Sequence, residues 1–304
     1  MNMVKIYGLE DAFYYPPANW KDLEVLVRFP DGEYKRETIP NSTIWQFNAV
    51  NHAFRPEIHA ADIGCGITAF IIPEIDFRVG ADIVYHHLRS KRNLGRGNHF
   101  VDICSAIDFV YEPERAEPYH LLLLHTHGKG NKIPQTVGQA IQQQDAVSEE
   151  RIEIGFDLLK ALGTKGGIFG NWPHNTVEET EGKVIYRKGV VKVEPEKLYI
   201  LPAHLGAKIL VYSVNEDKMP PYSSMPHATG RAGPRNAMKV SPEEAAKLRD
   251  SVYIPPGISN ESLRSEHPSC YNDFNKIFRK LLTPECPYFR PLGETQILSY
   301  VGKI

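Results

Sequence analysis

Several short stretches of this chain carry side chains that bind metals or move protons, each beside glycine or asparagine. The first is Asp62-Ile63-Gly64-Cys65-Gly66. Its glycines permit a tight backbone path, so a carboxylate and a thiol three residues apart can face one point. Together they form a metal-ligand pair, and a thiolate can bridge two ions. The plainer alternative is a buried cysteine beside a turn aspartate. The second stretch, Gly95-Arg96-Gly97-Asn98-His99-Phe100, presents Asn98 and His99 just before an apolar run. In the third, His125-Thr126-His127-Gly128-Lys129-Gly130, the histidines leave a leucine run and point the same way if the chain is extended. Either of these could also be only a polar loop tip.

Pro173-His174-Asn175 says little alone. Pro226-His227-Ala228-Thr229-Gly230-Arg231-Ala232-Gly233-Pro234-Arg235 says more. A histidine among small residues with arginines behind it can approach a phosphate. An imidazole nitrogen can also accept a phosphoryl or nucleotidyl group. The alternative is a basic loop. Sulfur, imidazole and carboxylate donors together point to Mn, Zn, Fe or Co rather than to Mg or Ca alone. The chain has no Walker A loop, Rossmann fingerprint, HExxH or GxSxG.

The elements that must position these residues are mostly short strands. Leu23 to Phe29 reads as a strand stopped by Pro30-Asp31-Gly32, and Ile67 to Ile72 as another ended by Pro73. Asp82 to Ser90 reads as a short helix. Phe100 to Cys104 alternates, and Tyr119 to Leu124 ends in a continuous apolar run that suits a strand buried on both faces. Residues 134–162 read as a helix ended by Gly163. Lys188-Gly189 reads as the turn of a hairpin between Val184–Arg187 and Val190–Val193. Tyr199 to Leu201 and Lys208 to Tyr212 read as core strands, and Ser241-Pro242-Glu243-Glu244 as a helix start. The expected class is α+β, with the whole of 1–304 as a single domain.

The 304 residues carry a formal net charge of −2, which gives no general support to nucleic-acid binding and leaves room for a local basic patch. Cys65, Cys104, Cys270 and Cys286 form no CxxC pair. No signal peptide and no apolar stretch near the roughly 18 residues of a membrane span are visible. A reduced, cytoplasmic protein is the expectation.

The order of the motifs adds a further expectation. Asp62-Ile63-Gly64-Cys65-Gly66, Gly97-Asn98-His99-Phe100, His125-Thr126-His127-Gly128, His174-Asn175, Tyr186-Arg187-Lys188-Gly189, Leu201-Pro202, His227-Ala228-Thr229-Gly230-Arg231 and Pro291-Leu292-Gly293 follow one another in a series. That series resembles the RtcB family of GTP-dependent RNA ligases over roughly residues 25 to 304. The resemblance implies mixed sheets around a deep metal-containing cleft, two Mn2+ ions, GTP as cofactor, and a monomer. Cys65 would bridge the ions, with Asp62 and His99 at one and His125 and His174 at the other. His227 would be the catalytic nucleophile that becomes guanylylated. Asn98, Asn175, Tyr271 and Lys303 would contact the guanylate, and Asp102 would stand where the family has a glutamate. Pro202, Ala203, His204 and Leu205 occupy the place of the family's phosphate loop, and Ala228, Thr229 and Gly230 flank the nucleophile. Asp31 resembles the family's upstream Pro-Asp motif.

The implied reaction joins an RNA 3′-phosphate or 2′,3′-cyclic phosphate to a 5′-hydroxyl, in RNA repair or tRNA splicing. The departures are a shortened region before Asp62, His125-Thr126-His127-Gly128-Lys129 for the family's His-Ser-Gly-Ser-Arg, and Pro202-Ala203-His204-Leu205 for its Pro-Gly-Ser-Met. They leave open an RNA end-processing or 3′-end capping nucleotidyltransferase, or a non-catalytic RNA-binding paralogue.

Overall fold

A computed structural model describes residues 2–5, 19–31, 39–50, 52–59, 62–91, 94, 99–115, 119–127, 133–235, 237–282 and 287–304. The expected roles of Asn98, Gly128, Lys129 and Cys286 lie outside these described residues.

In chain order the first elements are β1 (Asn2–Lys5), β2 (Leu23–Arg28), β3 (Thr43–Asn48), α1 (Pro56–His59), β4 (Gly66–Ile72), α2 (Phe77–Lys91), β5 (Phe100–Ala106), β6 (His120–Thr126) and α3 (Val137–Ala161). There follow β7 (Gly167–Pro173), β8 (Asn175–Thr180), β9 (Lys183–Lys188), β10 (Val190–Lys192), β11 (Tyr199–Leu201), β12 (Lys208–Val214) and β13 (Ser224–Pro226). The last are α4 (Pro242–Ala246), α5 (Asn260–Leu263), α6 (Phe274–Leu281) and β14 (Phe289–Gly302). The protein is mixed α+β, as the sequence suggested.

A seven-stranded sheet runs β11-β12-β14-β5-β6-β4-β7, and a five-stranded sheet runs β1-β2-β3-β9-β8. Leu121, Leu122, Leu123 and Leu124 on β6 are fully buried, as expected for a strand covered on both faces. Helix α3 packs one side of this sheet with Ile154, Leu158 and Leu159 inward, while Phe156 stays 46% exposed. Its first turn is capped by the Thr136 hydroxyl, which accepts from the Gln139 amide. Gly163, at φ +66, lies two residues beyond the end of α3 and matches the expected stop. A second apolar cluster, with Trp45, Phe47 and Tyr186 at its centre, lies on the five-stranded sheet.

The hairpin expected at Lys188-Gly189 does not form. β9 pairs with β3 and β8, whereas β10 pairs with β13. Gly189, at φ +65, turns the chain out of one sheet and into another ladder. The tight hairpin is instead β8–β9, turning at Glu181 (φ 49) and Gly182 (φ 74), the left-handed pair that a two-residue turn requires. The α2 helix also begins earlier than the expected Asp82, at Phe77.

Candidate metal centre

Sheet register brings distant motifs to one level. On neighbouring strands Phe100 lies opposite His125, Gly66 opposite Thr126, and Gly66 opposite Pro173. His99, His125, Cys65 and His174 therefore leave four adjacent strands at the same end. The Cys65 carbonyl accepts from the His174 amide at 2.8 Å, fixing the two ligand-bearing turns together. Gly64, at φ +77, makes the turn that aims Cys65.

These side chains line a cavity of about 400 Å3, within the usual range of ligand sites. Its wall also includes Asp31, Asn41, Asp62, Asn175, Lys188, Gly189, Ala203, His227, Ala228, Gly230, Arg231, Arg235 and Tyr271. Among the described residues, the donor group that converges closely enough for an ion is Cys65, His125 and His174, whose ligand atoms all lie within 4.8 Å of one another. Cys65 Sγ stands 3.4 Å from His125 Nε2. Asp62 and His99 line the same cavity but stand outside that compact group. His99 and His127 are in contact, centroids 4.3 Å apart and planes at 86°, an edge-to-face arrangement rather than two nitrogens aimed at one point.

The donor set suits a transition-metal ion. Burial pushes the His174 imidazole well below its usual value, and His227, His125, Arg151 and His99 around it push the same way. It is thus neutral, the form that binds metal. Burial pushes the Cys65 thiol up to about 12, against the opposing pull of Arg151. A coordinated ion would reverse that preference and hold it as thiolate.

His227 reaches this centre through β10. The Val190 amide donates to the His174 carbonyl at 3.0 Å, and Val190 pairs with Pro226, so His227 follows directly beside His174. Their rings stand 4.6 Å apart. His227 Nδ1 faces Asp31 Oδ2 at 3.7 Å. Burial pushes the His227 ring down to about 4 and the Asp31 carboxyl up to about 7, so an unprotonated imidazole is the favoured form near neutral pH. Asn175 ties the parts together: its Nδ2 donates to the Asp62 carbonyl, and its Oδ1 accepts from the Gly189 amide at 2.8 Å. No protein-family model matches the chain, and no curated protein does.

Other expected residues lie away from the cavity wall. Asp102 is 2% exposed on β5, and burial, followed by nearby Glu266, raises its carboxyl well above the ordinary range. Pro202, His204, Leu205, Thr229 and Lys303 are not part of the lining. Lys303 pairs with Glu266 at 2.8 Å. Glu266 also receives the Tyr271 hydroxyl at 2.5 Å and faces Arg231 at 3.3 Å and Arg235 at 3.6 Å. The sequence reading missed Glu266: a lone acid in Ser265-Glu266-His267 carries no motif, and its cationic partners come from remote segments.

Proposed function

We propose that this chain is an RNA ligase of the RtcB type, acting through a guanylylated His227 beside a manganese centre. The reading rests on one observation above others: His227 touches His174 on one side and faces a buried carboxyl, Asp31, on the other. A carboxyl behind the second nitrogen is common for metal-bound histidines too. What supports a separate role for His227 is that it stands beside the compact Cys65, His125 and His174 group and is not part of it. A neutral imidazole with Nδ1 directed to Asp31 leaves Nε2 as the nucleophile.

Cys65, His125 and His174 would hold the metal, with Asp62 and His99 completing a second ion position. Bound there, the metal would neutralise phosphate charge and orient the reacting oxygens. His227 Nε2 attacks the α-phosphorus of GTP, a P–N bond forms, and pyrophosphate leaves. Asp31 holds the ring and stabilises the positive charge that develops on it. An oxygen of the RNA 3′-phosphate then takes the guanylate, releasing His227. The 5′-hydroxyl would attack the activated phosphorus, a P–O bond forming as the bond to GMP breaks, with the hydroxyl proton lost to solvent and GMP departing. Lys188, Arg231 and Arg235 on the cavity wall supply cations for the phosphates. Tyr271 and Lys303 would bound the base side.

Intact mass after incubation with GTP and Mn2+ tests the reading. A guanylate adduct is expected on the wild type and not on His227→Ala. An adduct that forms without any strand joining would favour the end-capping alternative. No adduct with any nucleotide, in protein that binds metal, would overturn the ligase reading.

A further inference from the structure

We infer that Arg151 is the positioning residue of the metal centre: one buried guanidinium sets the backbones that carry Cys65, His125 and His174. It rests on the proposed metal site and adds a residue to which neither the motifs nor that proposal gave a role.

Arg151 projects from α3 and is fully buried. Nη1 donates to the Gly64 carbonyl at 2.8 Å and to the Thr126 carbonyl at 3.1 Å. Gly64 immediately precedes Cys65, and Thr126 immediately follows His125. Nε donates to Thr68 Oγ1 at 3.0 Å on β4, the strand that Cys65 enters. Nη2 donates to Asn171 Oδ1 at 2.9 Å on β7, the strand that leads to His174. One planar group thus ties together all of the segments that supply the triad. Its rigid fork suits this role better than a point charge would.

Neighbouring residues are shaped around the contact. A Cβ on Gly66 would clash first with the β7 backbone, at 2.6 Å from Pro173 Cα and 2.7 Å from the Trp172 carbonyl oxygen, and also with Arg151 Nη2 at 2.9 Å. Glycine there lets β4, β7 and the guanidinium close on one another. Asn171 accepts from Arg151 and donates to Ser148 Oγ at 2.6 Å, which fixes its amide. Burying a guanidinium is expensive unless its donors are met, and here they are met by backbone carbonyls and neutral side chains at the ligand turns. A cation kept for stability alone could be met anywhere in the core. This one is met where ligand aim is decided, and small misplacements of ligands weaken metal sites.

The test uses full-length protein, Co2+ as probe, and the thiolate-to-cobalt absorption band as readout. The wild type should bind Co2+ with a thiolate band. Arg151→Lys should retain the overall fold by circular dichroism, bind Co2+ 10- to 100-fold more weakly, and show a weaker or shifted band. Arg151→Met should lose more than Arg151→Lys. Thr68→Val, which removes one anchor and no ligand, should give a smaller change in the same direction, and it carries the test if the Arg151 variants do not fold. A wild-type band and affinity reproduced by Arg151→Lys or by Thr68→Val would overturn the inference while leaving the metal site standing. A wild type that binds no Co2+ would overturn both.

Discussion

His227 Nδ1 lies 3.7 Å from Asp31 Oδ2, inside a cavity wall where Asp31 is 2% exposed. Burial pushes the Asp31 carboxyl up to about 7, against the opposing effects of the Ser42 hydroxyl and its own amide. A group raised in this way contributes stability fully below its unfolded value near 3.8, and loses it as pH rises through about 7. Asp31→Asn, neutral at every pH, should therefore be as stable as the wild type at pH 8, or more so, in chemical denaturation. Guanylylation of His227 should nonetheless slow on the order of 10- to 100-fold, because asparagine cannot balance an imidazolium. Labelling at the wild-type rate would remove Asp31 from the mechanism.

Metal should stabilise the native chain through Cys65. An ion that binds only the folded state adds about 2.7 kcal/mol at a free concentration 100 times its dissociation constant. Wild-type protein should melt at a lower temperature after chelation and recover when Mn2+ or Co2+ is restored. Cys65→Ala should lose that shift. The buried thiol is protonated without metal, so the chelated variant should be only slightly less stable than the chelated wild type. A full metal-dependent shift in Cys65→Ala would show that the ion sits elsewhere.

His59 gives the clearest pH signature outside the centre. It is fully buried, its Nε2 faces the Thr176 carbonyl at 3.0 Å, and burial pushes it down to about 3, with Lys188 acting in the same direction. Between about pH 3 and pH 6.5 the unfolded chain binds a proton there that the native chain refuses. Stability should therefore rise with pH across this window, by a contribution of order 5 kcal/mol at 1.36 kcal/mol per unit. His59→Gln keeps a donor for Thr176 and has nothing to titrate. Its difference from the wild type in urea midpoint should shrink as pH falls from 6.5 towards 4, and a constant difference would contradict the assignment.

The strands, and Cys65 and His125 of the candidate metal triad, were legible in the sequence because their signals are local, whereas His174 was expected only from the order of the motifs. The leucine run, the strand stop at Pro73, the helix stop at Gly163, and Cys65 between glycines can each be read from a few neighbours. The Lys188-Gly189 turn was misread for the same reason. A glycine between two apolar runs looks alike whether the chain reverses or passes into a second ladder, and only the pairing of β10 with β13 separates the two. Arg151 and Glu266 were invisible because each gains its meaning from partners far along the chain. Arg151 even sits at a helix position where the surrounding charged residues suggest a solvated face, yet it is fully buried.

Glu266 should be sensitive to loss of its charge. It is 6% exposed and is met by Lys303, Arg231, Arg235 and the Tyr271 hydroxyl, with the Arg231 guanidinium over the Tyr271 ring at 4.4 Å. Glu266→Gln keeps the shape and removes the negative charge, leaving the cations facing one another. Breaking a buried pair in this way costs about 3–5 kcal/mol, and the partial exposure of Arg235 places the effect near the lower end. A small anion can stand in for the missing carboxylate, since Arg231 and Arg235 also face the cavity. Inorganic phosphate should therefore raise the melting temperature of Glu266→Gln more than that of the wild type, and sodium chloride at equal ionic strength should not. An equal response in both proteins would mean that Glu266 does not hold these cations in place for an anionic ligand.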